Sequence, residues 1–570
     1  MNKFKMIWAA AICLITATIV SPSFAGGPEQ SWVVHNKYIV DFKDDIGGNK
    51  ISTFLHKYKL SFYHAPFWRK LKMEIVTIPN YDTINEIEKY SEVEGVEPLT
   101  IVRALDLVPR SVFMGFPNDP LLPKQWGMEN IGADLAWKYS IGRGVTVAVV
   151  DTGIACDVSD LMQTSCSQGY NAVDRNDNAR DDHGHGTHVA GTIAQSTNNN
   201  IGGVGVAFGV RLLSVKVLAR DGSGTNASVA AGIHWAADNG AQVINMSLGG
   251  PMASEVIHKA CKYASKKGVI IVAAAGNDSG AVGYPAAYPE VIAVSATDQN
   301  NKIANFSSRG PEIAIGAPGV GIIQNTICDG GANNCEDFPS WNGTSMATPH
   351  VAGTVALLVG MGITNRKTVE KYLFASAERV DDNNAELYGA GIVRANASVR
   401  SFWIDQFSVR MLLAMLFAFC TARLAKRKGD VYSIKTKSFV AATLTTSVGL
   451  LFFLPLAFYK NSIIIELLGR PLGDWPVLFD INLQGYLPMA NVFVPLAITA
   501  LLLKVGHAGK WLGGLFVGTA AYLGSLLVLN NMVIPFGIMG TAWIVSNIAL
   551  CMYIGSLLLQ VKPDELQKIK

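Results

Sequence analysis

The sequence predicts an α/β protein: a doubly wound, mostly parallel sheet, preceded by a small α+β unit of split βαβ type and followed by an all-α transmembrane bundle. Three observations predict it. Between about 116 and 400, Val/Ile-rich runs apolar on both faces (VTVAVVD, VRLLSVKVL, AQVINMSLG, GVIIVAAAGN, VIAVSA) alternate with helix-period stretches such as NASVAAGIHWAADNG. That is the pattern of buried parallel strands and their crossover helices. Residues 26–115 carry strand and helix periods in the order β-α-β-β-α-β. Beyond 400 come long apolar spans, the last four of them able to cross about 30 Å of hydrocarbon. A chain of 570 residues calls for several domains, and its 49% hydrophobic and 16% charged residues reflect those spans.

In chain order, residues 1–25 combine Lys3 and Lys5, an apolar run at 6–20 and the small-x-small end Ser23-Phe24-Ala25, a secretory signal peptide. In 26–115, KYIVDFK alternates as a strand, GNKISTFLHKYK has helix spacing, and strand-like runs follow at 60–67 and 71–78. Helix-period YDTINEIEKYSEVEG then leads into strand-like PLTIVRAL. The link VPRSVFMGFPNDP divides this unit from the α/β domain at 116–400.

The membrane domain, 401–570, holds five spans at about 407–424, 438–459, 488–504, 511–530 and 532–560, the first interrupted by Arg410. Lys/Arg residues crowd the loop after span one (Arg423, Lys426, Arg427, Lys428, Lys435, Lys437), the turn after span three (Lys504, Lys510) and the tail (Lys562, Lys568, Lys570). The 460–487 loop has only Lys460 and Arg470. Five crossings put every lysine-rich loop on one face, the cytoplasmic one. The α/β domain then stands on the periplasmic or extracellular side of the plasma (inner) membrane, with the lipid bilayer as a partner. Net charge is +3 without a basic face, so nucleic acid is excluded as a partner.

Cysteine usage fits an exported domain. Cys156/Cys166 and Cys328/Cys335 are close pairs in polar loops, suited to two local disulfides. Cys261 lies on the apolar side of a helical pattern, and Cys420 and Cys551 lie in apolar spans.

The stretch DDHGHGTHVAGT places His183, His185 and His188 within six residues. As a zinc site it lacks a second Cys/His cluster to complete four ligands. As a base it needs a nucleophile and an orienting carboxylate. Asp151 ends the apolar strand VAVVD, where open α/β sheets place functional residues. Ser345 in WNGTSMATPHVAG precedes a long helical pattern whose N-terminus favours developing negative charge. Histidine can take the serine proton near neutral pH, and a buried carboxylate can hold its tautomer.

Asp151-Thr152-Gly153, His185-Gly186-Thr187-His188 and Gly343-Thr344-Ser345-Met346-Ala347 resemble the three signatures of the subtilisin-like serine proteases, in their Asp, His, Ser order. The resemblance covers about 116–400 and implies a serine endopeptidase with Asp151, His185 and Ser345 as triad. It also implies Asn277 of AAAGND as the oxyanion-hole amide and His188 as a packing residue. Polypeptide substrate would add as a strand along Gly222-Ser223-Gly224 and Ser247-Leu248-Gly249. A pocket walled by Ala273 to Gly276, including Ala274, would be floored near Gly283. Asp119, Asp160 and Asn199 fall where the family draws oxygen ligands for a structural calcium ion. Residues 26–115 resemble the family's prodomain, a folding chaperone and inhibitor removed by cleavage between about 106 and 118. The rival reading is a membrane sensor or transporter whose outer domain only binds peptides. Few ionisable residues within the spans weaken transport.

Overall fold

A computed structural model of the chain describes residues 33–43, 48–57, 61–63, 73–78, 81–87, 89–100, 117–327, 337–380, 384–426, 436–449, 468–471, 474, 509–530 and 537–560. The signal peptide, Cys328, Cys335 and the span at 488–504 lie outside these residues, as does 106–116 of the expected cleavage segment. Two units divide the chain, Met1–Val112 and Phe113–Lys570.

In the first unit, strand β1 (Val33–Phe42), helix α1 (Gly48–Lys57), strands β2 (Ser61–Tyr63) and β3 (Met73–Thr77), helix α2 (Tyr81–Ile87) and strand β4 (Val93–Thr100) follow one another. The sheet order is β2-β3-β1-β4, with antiparallel pairing throughout. Val40, Phe42, Phe54, Leu55, Val76 and Ile87 form its core. The helix period read through Gly95 overruns: β4 already starts at Val93, where pairing with β1 begins.

The second unit is centred on a seven-stranded sheet of order β11-β10-β9-β8-β5-β7-β6. Its strands are β5 (Thr146–Asp151), β6 (Ser165–Asn171), β7 (Arg211–Lys216), β8 (Val243–Met246), β9 (Ile270–Ala274), β10 (Val291–Thr297) and β11 (Ile313–Pro318). All of these pairs are parallel. β5, β8, β9 and β10 are buried at every residue, which explains their unbroken apolar runs. Helices α3 (His185–Ala194), α4 (Asn226–Asp238), α5 (Glu255–Lys266) and α6 (Thr344–Val359) pack around them. A capping box between Thr225 and Ser228 starts α4. The chain passes from β5 to β6 and β7 on one side and to β8 on the other, so its direction of winding reverses at β5. Such a switch point opens a crevice at the carboxyl ends of the strands, and Asp151 ends β5 there. Of the sixteen residues of α6, only Ser345 escapes burial. That helix is apolar all round because it runs through the core. A disulfide joins Cys156 to Cys166 with a Cα–Cα distance of 5.7 Å.

After helix α7 (Arg366–Ala375) comes α8 (Ala395–Lys426), 32 residues without interruption and so about 48 Å long. Its first turns belong to the core of the α/β domain through Ala395, Val399 and Phe402. Its later turns pack against α10 (Gly509–Val528) and α11 (Ile538–Leu558). Three helices, α8, α10 and α11, are long and apolar enough to cross a membrane among the described residues. The span expected at 438–459 is described as helix α9 (Lys437–Ser447) and through Gly449.

Arg410 does not break α8. It is 3% exposed, donates to Ser525 Oγ at 3.2 Å, and lies 3.6 Å from Asp474, which accepts the Tyr522 hydroxyl at 2.7 Å. The cluster TLTTS packs helices together: Thr443 Oγ1 reaches the Phe439 and Gly514 carbonyls. A Cβ on Gly518 would lie 1.9 Å from Thr446 Oγ1, so only glycine lets α9 and α10 approach this closely.

Candidate active site

The carboxyl end of β5 puts Asp151 wholly inside the protein. Its Oδ1 accepts the Thr152 N–H at 2.8 Å and pairs with His185 Nδ1 at 2.7 Å. His185 opens α3 with its side chain 21% exposed, so its ring bridges core and solvent. Burial is the largest influence on its pKa and lowers it. The Asp151 charge and hydrogen bond outweigh that, with help from the Asp181 charge, and leave His185 above 6.5.

Ser345 is the second residue of α6. Its hydroxyl donates to the Ser247 carbonyl at 3.1 Å, while Ser247 Oγ donates to the Ser345 carbonyl at 2.8 Å. Ser247, expected only as a strand edge for substrate, thus also holds the Ser345 segment. Asn277 Oδ1 accepts both the backbone N–H and the hydroxyl of Thr344, each at 2.9 Å. Two donors on that side fix the amide orientation and turn Nδ2 the other way. A Cβ on Gly343 would sit 3.6 Å from both Asn277 Nδ2 and the Ser345 N. The two donors therefore border one space, which glycine leaves open.

The expected substrate edges flank this centre. Gly222 caps a turn closed by its N–H to the Ala219 carbonyl, at 2.9 Å, and Gly224 lies near the start of α4. Ser247, Leu248 and Gly249 continue directly from β8. Ala274 ends β9 and Gly276 follows; the Gly283 N–H donates to the Ala275 carbonyl at 2.8 Å, which brings wall and floor together. Gly250 and Tyr284 exchange backbone hydrogen bonds beside them.

The other two histidines separate cleanly. His188 is fully buried and stacks on Trp341 at 4.4 Å; burial pushes its pKa down to about 3, so it is neutral packing. His183 lies with Nε2 3.2 Å from the position of a Cβ on Gly222, and so borders the cleft.

Asp119, Asp160 and Asn199 also come together. Asp119 accepts the Asn198 and Asn199 N–H groups at 2.7 and 3.2 Å. Asp160 accepts Asn199 Nδ2 at 2.7 Å and the Gly203 N–H at 3.0 Å. Burial raises the pKa of both carboxyls, that of Asp160 to about 6. Among the described residues, no three His, Cys, Asp or Glu side chains gather as for a metal. A cation here would draw on two carboxylates together with amide and carbonyl oxygens.

Sequence reasoning passed over Asp181, Lys216 and Trp341. The signal for Asp181 was present: an Asp whose carboxylate can bond the backbone two and three residues on is an Asx-turn former. Lys216 and Trp341 gave no local signal, since the contacts that place them, Lys216 with Thr152 and Asp182 and Trp341 with His188, are distant in sequence.

A doubly wound parallel sheet carries a buried aspartate paired with a histidine at the carboxyl end of β5, and a serine at the start of α6 tied to the segment that follows the adjacent strand β8, an arrangement like that of a serine hydrolase. The profile of the subtilase family, Peptidase S8, matches residues 142–391. Alkaline protease of Alkalihalobacillus alcalophilus is 35% identical over 394 residues, 69% of this chain and 98% of that protein. Subtilisin Savinase of Lederbergia lenta is 42% identical over 278 residues, 48% of this chain and 98% of that protein. Thermitase of Thermoactinomyces vulgaris is 42% identical over 248 residues, 43% of this chain and 86% of that protein. The chain belongs to the subtilase family and is a subtilisin-like serine endopeptidase.

Proposed function

We propose that this endopeptidase is an exported, membrane-anchored zymogen that cleaves peptide bonds through Asp151, His185 and Ser345. The observation that carries the triad is the 2.7 Å pairing of buried Asp151 with His185 at the sheet's switch point. Beside it, Asn277 Nδ2 and the Ser345 N border one open space. Reaction begins when the Ser345 hydroxyl turns from the Ser247 carbonyl to His185 Nε2. Oγ attacks the scissile carbonyl carbon and its proton passes to Nε2. Asp151 holds Nδ1 protonated and stabilises the imidazolium. The tetrahedral oxyanion occupies the space before Gly343 and takes hydrogen bonds from Asn277 Nδ2 and the Ser345 N–H. Its collapse breaks the C–N bond, and His185 gives its proton to the leaving amine. Water then repeats the sequence on the acyl-enzyme with His185 again as base.

Membrane anchoring rests on the directions of the described helices. α8 leaves the catalytic core, and the far end of α10 returns to it, where Thr368 Oγ1 donates to the Asn530 carbonyl at 2.6 Å. Gln560 Nε2, beyond α11, reaches the Ala425 carbonyl at the distal end of α8, at 2.9 Å. α9 runs parallel to α10, since Phe439 faces Gly514 and Thr446 faces Gly518. A crossing at 488–504, expected from its apolar sequence, would return the chain between two parallel helices. Five crossings leave the catalytic domain extracytoplasmic and the lysine-bearing tail cytoplasmic.

Asp119, Asp160 and Asn199 would hold a structural calcium ion. Two buried carboxylates with raised pKa favour a cation, which would tie the 197–203 loop to the chain near Asp119. The unit at 26–115 would act as inhibitor and folding chaperone until cleaved.

The test is full-length protein beside Ser345→Ala, with both N-termini read by mass spectrometry. Wild type starting near 106–118, with the variant keeping its N-terminal unit, is the expected result. Wild type that also keeps the unit would overturn self-processing.

A further inference from the structure

Asp181 makes more side-chain hydrogen bonds than any triad residue and is wholly buried. Its Oδ1 accepts the Thr152 hydroxyl at 2.8 Å and the His183 and Gly184 N–H groups at 2.9 Å each. Its Oδ2 accepts the Thr187 N–H at 2.9 Å and the Thr187 hydroxyl at 2.6 Å. Thr152 directly follows Asp151, and its Oγ1 accepts the Gly186 N–H at 2.9 Å, directly after His185. Five donors from three segments thus meet on one carboxylate: the turn after β5, the 183–184 turn and the first turn of α3.

Next to it, Lys216 is 3% exposed and closes the same corner from β7. Its Nζ donates to the Thr152 and Leu218 carbonyls, both at 2.9 Å, and to Asp182 Oδ1 at 2.6 Å. The turn that carries Asp151 is therefore held from two sides, by Asp181 through its hydroxyl and by Lys216 through its carbonyl.

We propose that Asp181 is a positioning residue for the triad: its buried carboxylate locks the Asp151 turn to the His185 turn and adds a second negative charge to the surroundings of the imidazole. This rests on the triad reading above. No neutral side chain can replace it without loss, because all five partners are donors. An asparagine would turn an NH₂ group toward Thr187 or toward the 183–184 turn. The charge acts on His185 along with that of Asp151 on β5; His183 lies beside the ring, 6.3 Å between ring centroids, His188 follows one turn along α3, and His350 on α6 faces His188. His188 and His350 are held neutral by burial. Asp221 lies at the exposed edge of the cleft near His183.

The experiment uses full-length protein in detergent and a fluorogenic peptide, with kcat and KM measured from about pH 5 to 10 and folding checked by thermal melting. Asp181→Asn is expected to lower kcat about 10- to 100-fold with KM nearly unchanged, the loss typical of misplaced reacting groups. Its acid limb is expected to move to lower pH, since a negative charge that favours the imidazolium is gone. Thr152→Val removes the hydroxyl bridge but keeps the charge, so kcat falls about tenfold while the acid limb stays, and Thr152→Ser recovers it. A folded Asp181→Asn variant with kcat within about twofold of wild type and an unmoved acid limb overturns the proposal. If Asp181→Asn does not fold, an unchanged kcat in Thr152→Val overturns it instead. Wild type without activity, or Ser345→Ala with full activity, overturns the triad reading itself, and this inference with it.

Discussion

The crevice beside β5 and the helical bundle beyond α8 both bury polar groups, yet they satisfy them in opposite ways. Around Asp151 and His185, partners come from segments far apart in sequence: Ser247 meets Ser345, Asn277 meets Thr344, and Lys216 meets Thr152 and Asp182. In the bundle most hydroxyls bond their own helix one turn back, as Thr443, Thr446, Ser447 and Thr519 do. There small residues rather than long-range bonds bring the helices together. Catalysis needs atoms fixed against change in charge, so its polar groups form a cross-linked network. A bundle placed in lipid, as proposed for these helices, needs backbone and hydroxyl groups satisfied locally. Arg410 is one of the exceptions among the described residues. It sits in the bundle yet is tied across the fold to Ser525 and Asp474, as a residue of the crevice would be.

The largest test of the comparison is Ser345→Ala, which should lower kcat by about 10⁴- to 10⁶-fold and leave melting almost unchanged. Asn277→Leu should follow with a loss of about 10²- to 10³-fold in kcat and little change in KM, read from steady-state kinetics. Gly518→Leu is the mirror case. It forces α9 and α10 apart, so the yield of folded protein extracted from membranes should fall, while the folded fraction keeps wild-type kcat/KM. A parallel drop in kcat/KM would show that the two regions are not energetically separate.

Two pH-dependent effects are smaller. Because Asp151 holds the His185 pKa above 6.5, and the base must be neutral, kcat/KM should fall on the acid side with a midpoint above 6.5. For the candidate calcium site, burial raises Asp160 to about 6 from the ordinary carboxyl value of 3.8. The folded state then binds the proton more tightly than the unfolded chain, so metal-free stability falls as pH rises through that interval. A bound cation reverses this by favouring the ionised carboxylates. Chelation should therefore lower the melting temperature clearly at pH 8 and hardly at pH 4.5; equal effects at both would remove Asp160 from the site.

The parallel sheet and its strands were legible because fully buried strands read as unbroken apolar runs, as TVAVVD and VIAVSAT do. Asp151, His185 and Ser345 were legible because each sits in a short motif that carries its own turn or helix start. The boundary of α2 was not, since helix spacing continued into residues that pair with β1. Arg410 misled for a related reason: a charge in an apolar span looks like an interruption until its partners from other segments are known.

By itself the sequence determined the fold class of the α/β domain, through residue spacing, and the chemistry on offer, through side-chain type. Spacing and side-chain type are local properties, and a periodic pattern or a motif states them within a few residues. Only the tertiary structure decided that Asp151 pairs with His185, that Ser247 holds Ser345 and that Asp181 gathers three segments on one carboxylate. Those contacts join residues across the switch point of the sheet, and chain closure over such distances is set by packing, which no local pattern encodes.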